Sequence, residues 1–131
     1  MGVSFESIPV GTHWNRERLA ELWGYATYHA IARGVVTPRG TNLIVLFVSE
    51  EKPTGFTPYE DLLVGQRLHW QGEKGHRTDR RMAESRENGD EIHVFHRKFH
   101  RAPFTYLGRV VLRTFEHLTT TPSRAEFDLI D

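Results

Sequence analysis

The chain contains no cysteine, and that one absence removes disulfide scaffolds and thiolate metal sites. It has no excess charge of either sign. Seventeen basic residues meet 17 acidic ones, which argues against a uniformly basic surface that grips nucleic acid everywhere. It has no apolar run approaching the ~20 residues needed to cross a bilayer, and residues 1–10 lack the basic start and apolar stretch of a secretory signal. A soluble, cytoplasmic protein is expected on these grounds. The recognisable catalytic motifs are missing as well: no Gly-x-Ser-x-Gly elbow, no P-loop, no GxGxxG and no HExxH. No nucleotide cofactor is therefore expected.

Two residue types still invite a catalytic or metal reading. There are eight histidines, and His93 and His96 lie on one expected strand. Three positions apart on a strand, they point to opposite faces and cannot chelate one ion without a bulge. Glu60 and Asp61 are neighbours on another expected strand and so point apart, which is wrong for a pair of cooperating carboxylates. A metal-dependent nuclease needs several convergent acids around a cation, and the sequence does not group them. The expectation is a binding protein without catalysis, metal or cofactor.

What is present is an uneven distribution of charge. Lys74, Arg77, Arg80, Arg81 and Arg86 share one polar stretch, and Arg97, Lys98 and Arg101 form a second basic group beside His96 and His100. The acids collect at Glu50–Glu51, at Glu60–Asp61 and in the C-terminal segment. A neutral chain can still present one basic face, although such runs are also what solvated loops look like.

Patterning gives the elements. Asn15 caps a short helix with Leu19, Leu22 and Trp23 on one face, and Gly24 stops it. Residues 25–31 extend as a further turn or two toward Gly34, and Pro38-Arg39-Gly40 marks a turn. Residues 42–49 form a continuous apolar run, as in a strand covered on both sides. Residues 59–64 make a short strand ending at Gly65. In residues 67–71, Leu68 and Trp70 point one way and His69 and Gln71 the other. Residues 73–90 read as a long polar loop, a type that is often functional. Strands follow at 91–97 and 104–115, the latter with Phe104, Tyr106, Val110 and Leu112 on one face. The last strand places Ala125, Phe127 and Leu129 inward and Arg124, Glu126 and Asp128 outward. About six strands with one or two N-terminal helices make an α+β domain over residues 1–131. Closure into a small curled β-barrel is the expected way to hide its edges.

One group of residues suits the recognition of a single nucleobase: Tyr59, Asp61, His69, Trp70 and Gln71. Aromatic faces stack on a base, at roughly 1–3 kcal/mol each in single-stranded systems. An Asp or Gln reads the Watson–Crick edge of an extruded nucleotide, and a carboxylate accepts from the N4 amino group of cytosine. The alternation of Trp70 with Leu68 suits an ordinary core residue equally well, and the pattern leaves both roles open.

The order of these motifs resembles a known family. Tyr59-Glu60-Asp61 is followed by His69-Trp70-Gln71. Val94-Phe95-His96-Arg97 is followed by Tyr106-Leu107-Gly108, and a closing strand follows Pro122. This series resembles the C-terminal domain of bacterial helicase-like restriction proteins, which is similar to SRA (SET and RING associated) domains within the PUA-like barrel group. The resemblance covers roughly residues 12 to 131. It implies a PUA/SRA-like barrel that binds double-stranded DNA containing 5-methylcytosine, flips the modified base into an aromatic pocket, and acts beside a nuclease or helicase effector protein. Tyr59, Asp61, Trp70, His69 and Gln71 then form the base pocket, with Tyr28 as a second aromatic wall. Lys74, Arg77, Arg80, Arg81, Arg97, Lys98, Arg33 and Arg39 contact phosphates. The alternatives are an RNA-binding PUA-like module and a nuclease component of a restriction system.

Overall fold

The architecture is known from a computed structural model that describes residues 2–51, 61–72, 78–119 and 121–130. In chain order the elements are β1 (His13–Trp14), α1 (Arg16–Trp23), a 3-10 turn (Tyr28–Ile31), β2 (Val35–Val36), β3 (Leu43–Ser49), β4 (Leu62–Val64) and β5 (Arg67–Gln71). Then come α2 (Asp79–Ala83), α3 (Ser85–Asn88), β6 (Glu91–Arg97), β7 (Phe104–Glu116) and β8 (Arg124–Leu129). The strands pair in the order β2-β3-β6-β7-β8-β5-β4, with β1 added to β7. Among the described residues only β3 and β6 run parallel; the other pairings are antiparallel. A parallel pair needs a long crossover, and here the crossover contains β4, β5, α2 and α3.

β3 explains why the sheet has a core on both faces. Its five central residues, Ile44 to Val48, are all buried. Ile44, Leu46 and Val48 face a cluster with Leu68, Trp70, Ile92 and Phe127. Val45 and Phe47 face a second cluster with Leu19, Trp23, Phe95 and Phe104. The parallel register is marked by Phe47 opposite Phe95, whose rings stack with centroids 5.2 Å apart.

The four in-phase residues of β7 do not share one face. All are buried, but Val110 and Leu112 join the first cluster while Phe104 and Tyr106 join the second. The β6–β7 register shifts between Val94 and Phe95, so that Val94 pairs with Gly108 but Phe95 with Tyr106. Leu107 is the extra residue, and Gly108 takes a φ of 92°. A bulge inserts one residue and so exchanges the faces beyond it.

The N-terminal helix begins and ends where expected. The Asn15 side chain accepts from the Arg18 N–H at 2.8 Å, and Gly24 closes α1 in the left-handed region with a φ of 82°. Its buried stripe, however, is Leu19, Ala20 and Trp23, and Leu22 is 37% exposed. Successive residues turn by roughly 100°, so a stripe centred between Leu19 and Ala20 carries Trp23 inward and leaves Leu22 at its margin. Two further expectations are corrected. Residues 73–90 are not wholly a loop, because α2 and α3 lie within them. Met82 is fully buried in the first cluster, and a lone apolar anchor in a polar stretch leaves no periodic signal. The two-residue strands β1 and β2 are too short to show alternation, so the expected six strands become eight.

The sheet curls strongly. Glu50 follows β3 directly, yet its carboxylate accepts from the Leu63 N–H of β4 at 3.4 Å, although β3 and β4 are five steps apart in the pairing order. Among the described residues no backbone ladder closes that gap, so the sheet is open. No helix among the described residues is long and apolar enough to cross a membrane.

Candidate functional site

The site is built on the β4–β5 hairpin. Gly65, with a φ of 59°, makes its tight turn, and the register sets Leu62 opposite His69 and Val64 opposite Arg67. Asp61 precedes β4. Its Oδ1 accepts from the Gln71 N–H at 2.8 Å, so a side chain extends the hairpin by one rung. That duty explains a carboxylate only 9% exposed. On its other edge β5 pairs with β8, setting His69 opposite Glu126, Trp70 opposite Ala125 and Gln71 opposite Arg124.

A cavity of about 780 Å³ opens here. Its wall includes Asp61, His69, Trp70 and Gln71, together with Glu50, Thr114, Glu116, Arg124 and Glu126. Four residues singled out from the sequence for a base pocket are thus brought together. Tyr59 lies outside the described residues. Tyr28 is not part of the wall: it sits on the 3-10 turn beside α1, with its ring stacked on His29 at 4.3 Å. Trp70 is a core residue that also lines the cavity. It is 5% exposed, packs edge-on against Phe127 at 5.9 Å, and turns a limited surface to the cavity. It is a floor held by the core, and too little of it is open for a freestanding stacking plate.

Glu50, Thr114, Glu116, Arg124 and Glu126 were missed as site residues. They come from the residue after β3, from β7 and from β8, segments whose sequence does not show that they meet, and Arg124 and Glu126 read simply as the outward side of β8. Four carboxylates and one arginine give the cavity an acidic wall. The Glu50 carboxylate also accepts from His96 Nε2, at 2.6 Å, and Glu126 lies 3.6 Å from His69 Nδ1. Such a wall repels phosphate and favours groups rich in N–H donors, such as the amino edge of a base.

The expected phosphate contacts are dispersed. Lys74 and Arg77 lie outside the described residues. Arg81 is occupied: its Nε donates to Asp90 at 2.9 Å, and its Nη2 reaches the carbonyls of Thr41 and Leu43 at 3.3 and 3.4 Å. It therefore pins α2 to the start of β3. Arg80 pairs with Glu84 one turn on, in an exposed position. Arg97 donates to Ser49 Oγ at 2.6 Å and lies over the Phe104 ring at 4.3 Å. Burial lowers its pKa below the usual arginine value. Lys98, Arg33 and Arg39 are exposed.

His93 and His96 take separate partners. His93 stacks on Phe5 at 3.8 Å and bonds the Tyr106 hydroxyl at 2.6 Å, whereas His96 holds Glu50. Ser123, Asp79 and His117 also meet, a combination that suggests acyl transfer. The geometry opposes that use. Ser123 is fully buried, and its hydroxyl donates to Asp79 at 2.6 Å and accepts from the Leu118 N–H at 3.0 Å. It ties α2 to the start of β8.

Among solved structures, the SRA domain of SUVH5 in complex with fully methylated CG DNA superposes with a TM-score of 0.64 at 12% identity, covering 99% of this chain and 94% of that one. The fold is SRA-like. A DNA modification-dependent restriction endonuclease, AspBHI, shares this SRA-like fold with a TM-score of 0.55 at 17% identity, over 93% of this chain and 73% of its own. No family model and no curated protein matches the chain.

Proposed function

We propose that this SRA-like chain is a single-domain, non-catalytic reader of 5-methylcytosine in double-stranded DNA, serving a nuclease or helicase effector. One observation carries the reading: a cavity in an SRA-like fold that gathers Asp61, His69, Trp70 and Gln71 behind an acidic wall. The modified base is extruded into this cavity. Trp70 forms its floor, the carboxylates of Asp61 and Glu50 accept from the base's amino edge, and His69 and Gln71 supply donors to its remaining acceptors. Tyr59 is assigned to a pocket wall on the family resemblance. The neighbours point the same way, since one is solved with methylated DNA and the other is described as modification-dependent.

The energetics bound the selectivity. Flipping costs a few kcal/mol, which stacking and phosphate contacts must offset. Burying one methyl contributes about 0.8 kcal/mol, so contact alone gives roughly a fourfold preference, and any larger ratio requires shape exclusion. The test is a fluorescence-anisotropy titration at fixed salt, comparing one duplex with and without 5-methylcytosine and the matching RNA duplex. Tighter binding to the methylated DNA is expected. Equal binding to both DNAs, tighter binding to RNA, or metal-dependent cleavage of the duplex would overturn this reading.

A further inference from the structure

A second feature lies on the opposite face of the sheet. Arg16, in the first turn of α1, has its guanidinium carbon 4.6 Å from the centre of the Phe47 ring and 5.1 Å from that of Phe104. Arg97, at the end of β6, lies 4.3 Å from the same Phe104 ring. Two half-buried cations therefore share one aromatic side chain. Both are held in place by neutral acceptors. Arg16 donates to the carbonyls of Ile31 and Arg33 at 3.0 and 3.3 Å. Arg97 donates to Ser49 Oγ and, at 3.3 Å, to the Ala102 carbonyl. Neither has a carboxylate partner among the described residues, and Nη1 of Arg16 makes no hydrogen bond there.

This arrangement disfavours the charged form of Arg16. Desolvation by burial and the nearby charge of Arg97 lower the Arg16 pKa to about 10, offset only in part by Glu17. Cation–π attraction offsets part of this, but two like charges removed from water together are poorly compensated. An anion held at this cation pair would relieve the repulsion and take the free Nη1 donor of Arg16. Arginine forks match phosphate geometry.

We propose that Arg16 and Arg97 form an anion site that takes one phosphate of the DNA backbone. The site rests on the reader assignment for its ligand and deepens it. His96 and Arg97 are adjacent on β6 and so face opposite sides of the sheet: His96 holds Glu50 of the base cavity, and Arg97 belongs to the cation pair. The end of β6 thus borders both sites. Arg16 gave no signal in the sequence beyond being one basic residue in an amphipathic helix.

The experiment measures binding of an unmodified duplex by the whole chain across a salt series, for the wild type and Arg16→Gln. Loss of one phosphate contact is expected to reduce the slope of log K against log salt by about 0.9 and to leave the preference for methylated duplex unchanged. Titration of inorganic phosphate, followed through the arginine Nε–H resonances, is expected to shift Arg16 and Arg97 ahead of the exposed arginines. Arg16 also anchors the 3-10 turn, so where Arg16→Gln does not fold the phosphate titration, which needs no substitution, decides the question. An unchanged slope with intact methyl preference, or phosphate shifts shared equally by all arginines, would overturn the site and leave the reader standing. A reduced slope in a protein indifferent to methylation would keep the site and sink the reader.

Discussion

The two faces at the end of β6 handle charge in opposite ways. The cavity beside β4, β5 and β8 gathers carboxylates and holds one of them on His96. The ring of Phe104, on the other face, gathers two arginines with no carboxylate among the described residues to meet them. A chain with no net charge has thus separated a surface suited to N–H donors from one suited to an anion, a short distance apart. The difference shows why net charge predicts so little here: local sign decides what each surface can hold, and strand alternation sends adjacent residues to each.

The largest effect expected on the cavity side is Trp70→Ala. Truncating so buried an aromatic should cost about 3–5 kcal/mol of stability, read by chemical denaturation, and any protein that remains folded should lose its methyl preference. Retained preference in folded protein would move the pocket elsewhere. Asp61→Ala should cost about 1 kcal/mol, because the part-buried Gln71 N–H loses its acceptor. Selectivity should fall with it, and an unaltered melting temperature would contradict the rung that Asp61 supplies.

Arg81→Gln sharpens the contrast between structural and phosphate-binding arginines. It should lower stability by about 1–3 kcal/mol, since the Asp90 carboxylate is left nearly buried and unpaired, while the salt slope for DNA stays unchanged. A reduced slope with no loss of stability would place Arg81 at the DNA. The smallest effect should come from Arg80→Gln, whose exposed pair with Glu84 contributes about 0.3–0.5 kcal/mol. A thermal shift much larger than that would reveal a role beyond the surface pair.

Much of the chain was legible without coordinates, and each success has a local cause. A polar side chain at Asn15 and a glycine at position 24 bound α1 because cap geometry depends on a few neighbouring residues. The apolar run of β3 follows from burial on both faces, and the alternation of β5 and β8 from the period of two along a strand. The misses share a different cause. The bulge opposite Phe95 exchanges the faces of β7 through one inserted residue, and α2 is secured by Met82 and by Asp79 reaching Ser123.

The sequence by itself determined the longer strand segments, where the first helix starts and stops, and that His69, Trp70 and Gln71 sit together on one strand, because these properties depend on residues a few positions apart. Only the tertiary structure decided that Glu50, Glu116 and Arg124 complete the cavity, that Arg81 is bound within the fold, and that Arg16 meets Arg97 over Phe104. Those outcomes depend on how the sheet curls and where its register shifts, which bring together residues of separate elements that no local period relates.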